Sequence, residues 1–357
     1  MKILIGAGGS GGHVFPALET AKSLKAQEHR VIFLTTQGLA FDLIRKAGFD
    51  ALIIDPPRVK LASPLSAVRE ALGMFNAFKD AYALIKNLSP DVVVGFGGYG
   101  AFPVVSAAIA RKVPTLIHEQ NVVPSRSNQV LSRFVSRIAI TFDKSRQYFP
   151  PQKVVLTGCP CKNSFPQRSK AEIYRDFGFL EGVPTIFVIG GSQGSRRINE
   201  EFSKAVVMLK GDFDFQFIHI CGSSDYGRLK KEYEKIKIRY QLFDFFDDVQ
   251  SAYAIADLVI ARSGAVTVCE ILSFQKQAIL IPYPLIRVHQ RENAEILFEK
   301  GLAKIIDDSE CFATRLKNEI LEAFRAQKDN ARSSCANVAA EDSPQERILQ
   351  EIIRLVS

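Results

Sequence analysis

The chain has 357 residues, 47% hydrophobic and 24% charged, which is enough core material for two globular domains. It holds no apolar run of the roughly 18 residues that a membrane-spanning helix needs, and it opens on a strand pattern rather than a signal peptide. The net charge of +8 falls wholly in residues 1–150, with 18 Lys+Arg against 10 Asp+Glu, while the remainder holds 28 of each. That excess suits an anionic partner, either a membrane surface or a diphosphate lipid, unless it serves solubility alone. Nucleic acid is not expected, because few basic clusters are interleaved with aromatics.

Taken in order, residues 3–7 read as a strand, followed by Gly8-Gly9-Ser10-Gly11-Gly12-His13 and a helix to about residue 26. Strands are expected at 31–35, 51–54, 91–95, 115–118 and 137–141, with helices between them. The stretch after Pro56-Pro57 reads as a long helix broken near Pro64. Continuous apolar strands alternating with helices predict a parallel sheet covered on both faces. The pattern restarts after residue 155: a strand at 185–189, then Gly190-Gly191-Ser192-Gln193-Gly194-Ser195, then a helix. Further strands are expected at 215–220, 241–246, 258–261 and 278–282. The fold class is therefore α/β, with two Rossmann-like halves. Ligands bind at the carboxyl ends of such strands, so the two sheets are expected to face across a cleft. We divide the chain into residues 1–156, 157–340 and a last helix at 341–357, whose Ile348, Leu349, Ile352, Ile353 and Val356 share a helical face. That face is expected to pack on a sheet, crossing back towards the first domain.

Several stretches carry polar chemistry. Glycines before a helix let a backbone approach a phosphate, which the helix N–H groups then hold; a tight turn without ligand is the alternative. The segment 6–11 formally satisfies G-x-G-x-x-G, but the second strand ends in Thr35-Thr36-Gln37. It therefore lacks the acid that would hold a dinucleotide ribose, which disfavours an NAD-dependent dehydrogenase. No Lys-Ser/Thr pair follows the glycines, which excludes a P-loop. In Arg262-Ser263-Gly264-Ala265-Val266-Thr267-Val268-Cys269-Glu270, a strand, a turn and a helix start would hold a diphosphate, and Glu270 would accept two ribose hydroxyls. The alternative for Glu270 is a residue that merely complements the helix dipole. His118-Glu119-Gln120-Asn121 follows a strand end and is expected to line the cleft and read sugar hydroxyls, or else to form a polar loop. Gln290 is expected to bond a sugar hydroxyl. His29 and His219 read as structural. The cysteines, 159, 161, 221, 269, 311 and 335, form no C-x-x-C pair and are expected as reduced thiols, with no metal site and no cofactor.

Gly8-Gly9-Ser10-Gly11-Gly12-His13, Gly97-Gly98-Tyr99, His118-Glu119-Gln120-Asn121, Gly190-Gly191-Ser192-Gln193-Gly194 and Arg262-Ser263-Gly264-Ala265-x-Thr267-x-x-Glu270 occur in one order, with Asp247-Asp248 and His289-Gln290-x-x-Asn293-Ala294 beside them. This set resembles the MurG family, the peptidoglycan N-acetylglucosaminyltransferases of glycosyltransferase family 28, from residue 1 to about residue 305. The resemblance implies a GT-B fold. It implies inverting transfer of GlcNAc from UDP-GlcNAc to the 4-hydroxyl of the muramoyl sugar of lipid I, giving lipid II without an obligatory metal. It places the enzyme peripherally on the cytoplasmic face of the bacterial inner membrane, against anionic lipid. Roles in cell-wall biogenesis, cell shape and division follow, with other cell-wall synthesis proteins as partners.

Carried over residue by residue, Glu270 takes the ribose, and Ala265, Val266, Thr267, Val268 and Cys269 form the helix start at the diphosphate. Ser192 also meets the diphosphate region, and Phe246 marks the backbone that reads uracil. Gln290 and Asn121 reach the GlcNAc, and Ser10, Gly11 and Gly12 approach the donor from the other domain. Lys162 stands where the family's joint carries arginine; it keeps the charge and loses the planar fork. Phe246 replaces a more common aliphatic residue, and Ser10 a frequent threonine. His13 is expected to be the general base, kept neutral by the positive helix end, with Glu119 as the rival. Leu61, Leu65, Val68, Leu72, Phe75 and Phe78, flanked by Lys60, Arg69 and Lys79, form either a membrane face or a core face. A nucleotide-sugar epimerase, another GT-B enzyme and a non-catalytic UDP-sugar-binding protein remain as alternatives.

Overall fold

The computed structural model describes residues 1–57, 64–162, 166–285, 289–329 and 343–357. The chain forms two compact units, Met1–Cys161 with Ala340–Ser357, and Lys162–Ala339.

Unit 1 begins with β1 (Lys2–Gly6), α1 (Gly11–Ala26), β2 (Arg30–Thr35), α2 (Leu39–Lys46) and β3 (Asp50–Ile53). It continues with α3 (Pro64–Leu88), β4 (Val92–Gly95), α4 (Gly98–Ala110), β5 (Thr115–Glu119), α5 (Arg126–Leu131), β6 (Arg137–Ile140) and β7 (Val154–Leu156). The strands form one sheet in the order β3-β2-β1-β4-β5-β6-β7, with every pair parallel. The central strands are apolar throughout because both faces are covered. Ile3 and Ile5 join the core under α1 and α2, while Leu4 faces the opposite core built on α3 and α4. Near the expected break the described helix begins at Pro64 and runs unbroken to Leu88, while 58–63 lie outside the described residues. At Pro64 a missing N–H costs nothing, since no intrahelical partner exists for it.

Unit 2 consists of α6 (Lys170–Phe177), β8 (Thr185–Ile189), α7 (Arg196–Leu209), β9 (Gln216–Ile220), α8 (Ser223–Tyr233), β10 (Arg239–Phe243) and α9 (Val249–Ile255). It is completed by β11 (Leu258–Ala261), α10 (Ala265–Ser273), β12 (Gln277–Leu280), α11 (Gln290–Phe298), β13 (Ala303–Ile305) and α12 (Ala313–Asp329). Its parallel sheet runs β10-β9-β8-β11-β12-β13. Ile186 and Val188 face a core with Phe202 of α7 and Leu316 and Ile320 of α12. Phe187 points to the other face, edge-on to Tyr253 of α9 at 5.0 Å.

The last helix, α13 (Pro344–Val356), belongs to unit 1 and packs on α1. A capping box between Ser343 and Glu346 starts it. Ile348, Leu349 and Ile352 are buried in the core that holds Ile3 and Ile5, whereas Ile353 stays exposed. Among the described residues no helix is long and apolar enough to cross a membrane. Cys159, Cys161, Cys221, Cys269 and Cys311 are buried and form no disulfide among the described residues; Cys335 lies outside them.

Candidate functional site

In each sheet the strand order reverses once, between β1 and β4 in unit 1 and between β8 and β11 in unit 2. The crevice at such a reversal, outside the carboxyl ends of the strands, is where open α/β sheets take ligands. Both reversals are flanked by glycine turns.

In unit 1 the turns after β1 and β4 interlock. A Cβ at Gly98 would lie 2.5 Å from the Gly8 carbonyl oxygen, and Gly98 has a φ of +76°. Only glycine fits there. Helix α1 starts at Ser10, whose side chain makes no capping bond. The Ser10 hydroxyl turns instead to His13 Nδ1 at 3.0 Å. A Cβ at Gly97 would lie 3.3 Å from His13 Nε2, so the bare glycine leaves that edge of the ring uncrowded. His13 is half-buried, and burial brings its pKa down to about 4. Desolvation by burial keeps this imidazole neutral. Beside the turn an open cavity of about 810 Å³ is lined by Gln37, Asp55, Arg69, Asn76 and Tyr99, among others.

The 118–121 stretch departs from the expectation that all four residues line a ligand site. His118, Glu119 and Gln120 are buried, and only Asn121 is half-exposed. His118 Nε2 lies 2.9 Å from the Gly158 carbonyl, and Gln120 Nε2 donates to the Phe96 carbonyl at 3.0 Å. Glu119 Oε1 accepts from the Asn121 backbone N–H at 3.0 Å and its side-chain amide at 3.2 Å. Its Oε2 accepts from the Ser125 N–H at 3.1 Å and from Asn128 Nδ2 at 2.8 Å. Burial raises the Glu119 pKa against the pull of these donors. Glu119 thus clamps the loop that carries Asn121. Asn128, which the sequence reading missed, is its partner and sits beside Gly97.

In unit 2, Gly264 starts α10 with no side-chain cap, so the N–H groups of Ala265, Val266 and Thr267 head an uncapped helix. Val268, Cys269 and Glu270 follow, all buried; Glu270 is 7% exposed. Its Oε2 accepts a hydrogen bond from the Tyr253 hydroxyl at 3.1 Å. Tyr253 lies 17 positions away, and no local pattern announces it. Ser263 donates to the Gln290 carbonyl at 2.8 Å and accepts at its own carbonyl from Asn293 Nδ2 at 3.3 Å, tying α11 to the 262–264 turn. The Gln290 side chain accepts from the Tyr283 N–H at 3.0 Å. Arg262 is buried, paired with Asp308 at 2.5 Å and bonded to the Ile281 and Pro282 carbonyls. It braces the strand ends.

Ser192 is exposed on the turn that opens α7, another helix start without a side-chain cap. Strand β10 ends at Phe243, so Phe246 lies in the loop beyond it rather than in the strand. The Phe246 ring stacks on Phe243 with centroids 4.4 Å apart and meets Phe177 at 5.8 Å. Its side chain is therefore spent on packing. Lys162 Nζ donates to the Asp247 carbonyl at 2.5 Å, which brings this lysine to the same loop.

Three histidines are held neutral by burial, His13 and His118 at about 4 and His219 at about 3. A pKa lowered on folding means that the unfolded chain binds more protons between the two values, so stability rises with pH across that window. The contribution is complete above about pH 6.5 and is lost as pH falls towards 4. For the fully buried His118 and His219 we expect a loss on the order of 2 kcal/mol each between pH 7 and pH 5. Urea unfolding at the two pH values measures this, and the loss should shrink in His118→Gln and His219→Gln.

The chain matches the glycosyltransferase family 28 N-terminal domain over residues 3–140 and the family 28 C-terminal domain over residues 185–351. The chain belongs to glycosyltransferase family 28, a class of two-unit GT-B enzymes. Within that family it is 36% identical, over 87% of its own length and 86% of the relative's, to the UDP-N-acetylglucosamine–N-acetylmuramyl-(pentapeptide) pyrophosphoryl-undecaprenol N-acetylglucosamine transferase of Thermodesulfovibrio yellowstonii. Among solved structures it is similar to Acinetobacter baumannii MurG, with a TM-score of 0.73, 29% identity and 99% of both chains covered. The UDP-GlcNAc 2-epimerase of Neisseria meningitidis, with a TM-score of 0.67, 13% identity, and 99% and 100% of the chains covered, shares the fold alone.

Proposed function

We infer that this chain transfers N-acetylglucosamine from UDP-GlcNAc to the 4-hydroxyl of the muramoyl sugar of lipid I, with inversion at the anomeric carbon, to give lipid II. The observation that carries the reading is the 36% identity, spread over nearly the whole of both chains, to a transferase of that name. The residues supply the chemistry. In unit 2 the uncapped start of α10 and the turn at Ser192 hold the donor diphosphate, and Glu270 accepts the ribose hydroxyls. The backbone at Phe246 reads the uracil edge, with Lys162 beside it. Gln290 and Asn121 reach the GlcNAc, and Ser10, Gly11 and Gly12 approach the donor. The acceptor oxygen attacks the anomeric carbon as the bond from that carbon to the β-phosphate oxygen breaks, and its proton passes to His13. The leaving electron pair stays on UDP, stabilised by the helix N–H groups without reorganisation. Incubation with UDP-GlcNAc and a short-chain lipid I analogue tests this. UDP release that requires the acceptor supports a transferase, whereas acceptor-free conversion of the donor sugar supports an epimerase instead.

The enzyme works on a lipid-linked acceptor as a peripheral protein at the cytoplasmic face of the inner membrane. On α3, Val68, Leu72 and Phe75 are exposed with Arg69 and Lys79, while Phe78 packs inward against the core of unit 1. Leu61, Lys60 and the side chain of Leu65 lie outside the described residues. The exposed stripe and its cations suit an anionic bilayer. Co-sedimentation with phosphatidylglycerol vesicles should be strong at low salt and weakened in a Val68→Ser/Leu72→Ser/Phe75→Ser variant. Equal binding of the variant would remove this face from membrane contact.

A further inference from the structure

His219 is a buried imidazole with no part in the chemistry above, yet it belongs to a continuous polar relay. Asn199 of α7 donates from Nδ2 to the Cys221 carbonyl at 2.8 Å and to Asp225 Oδ2 at 2.8 Å. Both amide hydrogens are thereby used, so Asn199 Oδ1 must accept, and it lies 3.0 Å from His219 Nε2. His219 therefore carries its proton on Nε2, and Nδ1 accepts from the Tyr233 hydroxyl at 2.8 Å. Every donor in the relay points the same way, from Tyr233 through His219 and Asn199 to the Cys221 carbonyl. Asn199, His219 and Tyr233 are all buried.

The end of the relay is a contact on which the phosphate turn depends. A Cβ at Gly194 would sit 2.0 Å from the Cys221 carbonyl oxygen, and one at Gly222 would sit 2.6 Å from the Gln193 carbonyl oxygen. The turns after β8 and β9 therefore touch backbone to backbone. Resting on the donor-site reading above, we propose that Asn199 is a positioning residue for the donor diphosphate: by holding the Cys221 carbonyl it fixes the surface against which the 190–195 turn is shaped. His219 sets the orientation of that amide. It acts on UDP only through the turn.

The test compares UDP affinity and thermal stability across variants of the full-length protein. Asn199→Ala is expected to weaken UDP binding about tenfold or more, the scale of a buried hydrogen bond lost from a coupled network. His219→Gln, which keeps a donor towards Asn199, is expected to fall between Asn199→Ala and wild type. Ile320→Ala, in the core of the same unit and with no hydrogen-bonding group to offer the relay, should lower Tm comparably and leave UDP affinity unchanged. Amide hydrogen exchange read at Gly194 gives a second measurement that needs no ligand, and it should speed up in Asn199→Ala but not in Ile320→Ala. Affinity and exchange that follow the loss of Tm alike in all variants would overturn the proposal. If wild type fails to bind UDP while Gly194 exchange still responds to Asn199→Ala, the donor reading falls and the control of the turn by Asn199 stands.

Discussion

Alanine at position 13 is expected to lower kcat about 10²- to 10⁴-fold, the usual span for a general base, while KM for UDP-GlcNAc changes little. The geometry gives the reason. The Ser10 hydroxyl fixes His13 from the Nδ1 side, and the missing Cβ at Gly97 spares the Nε2 edge. Burial makes the ring a weak base, with a pKa of about 4. Negative charge carried by a bound substrate would raise it towards neutrality, because nearby negative charge favours imidazolium. The acid limb of kcat/KM should therefore sit near the low value of the free protein, and that of kcat should sit higher. Glu119 is poorly placed to compete, since both its oxygens already accept the N–H groups that shape its own loop. A His13→Ala variant with normal turnover would remove this ring from the mechanism.

Gly194→Ala should be the most damaging single-methyl addition in unit 2. The added carbon would meet the Cys221 carbonyl oxygen at 2.0 Å with a backbone φ of +76°. Neither partner is a flexible side chain, so one of two touching turns has to move. We expect a destabilisation of about 3 kcal/mol or more, together with loss of UDP binding. Gly211 is the control: its φ is +98°, and a Cβ there would meet nothing within 4 Å. Gly211→Ala should cost only the backbone strain of about 1 kcal/mol and leave UDP binding intact. Urea unfolding and UDP titration of both variants separate the clash from the strain.

The parallel strands and the glycine turns were legible because each needs only local pattern. Short apolar runs such as 92–94 and 258–261, each followed shortly by glycine, suit strands buried on both faces, and a turn rich in glycine before a helix marks its own place at the sheet edge. Residues 118–120 misled for a related reason. A polar residue at the end of a doubly buried strand can turn to either side, and here Ser125, Asn128 of α5 and the Gly158 carbonyl just beyond β7 supply internal partners. Helix α3 divides its apolar residues between core and solvent: Ala77, Ala81 and Ile85 are buried with Phe78 packed against them, while Val68, Leu72 and Phe75 are exposed. Tyr253, Asn128 and Asn199 escape a sequence reading because their partners lie from 9 to 26 positions away, beyond any local pattern. From sequence His219 reads as structural; its place in the relay comes from contacts across β9, α7 and α8.

The proposed donor site turns on Glu270 gripping the ribose of a nucleotide whose diphosphate lies on the start of α10. The direct measurement is calorimetric titration of UDP and of 2′-deoxyuridine diphosphate into wild type and Glu270→Ala. Wild type should prefer UDP by about tenfold or more, as the loss of a hydrogen bond to a charged acceptor implies, and the variant should bind the two nucleotides alike. A Glu270→Ala protein that keeps the full preference for UDP would contradict the account.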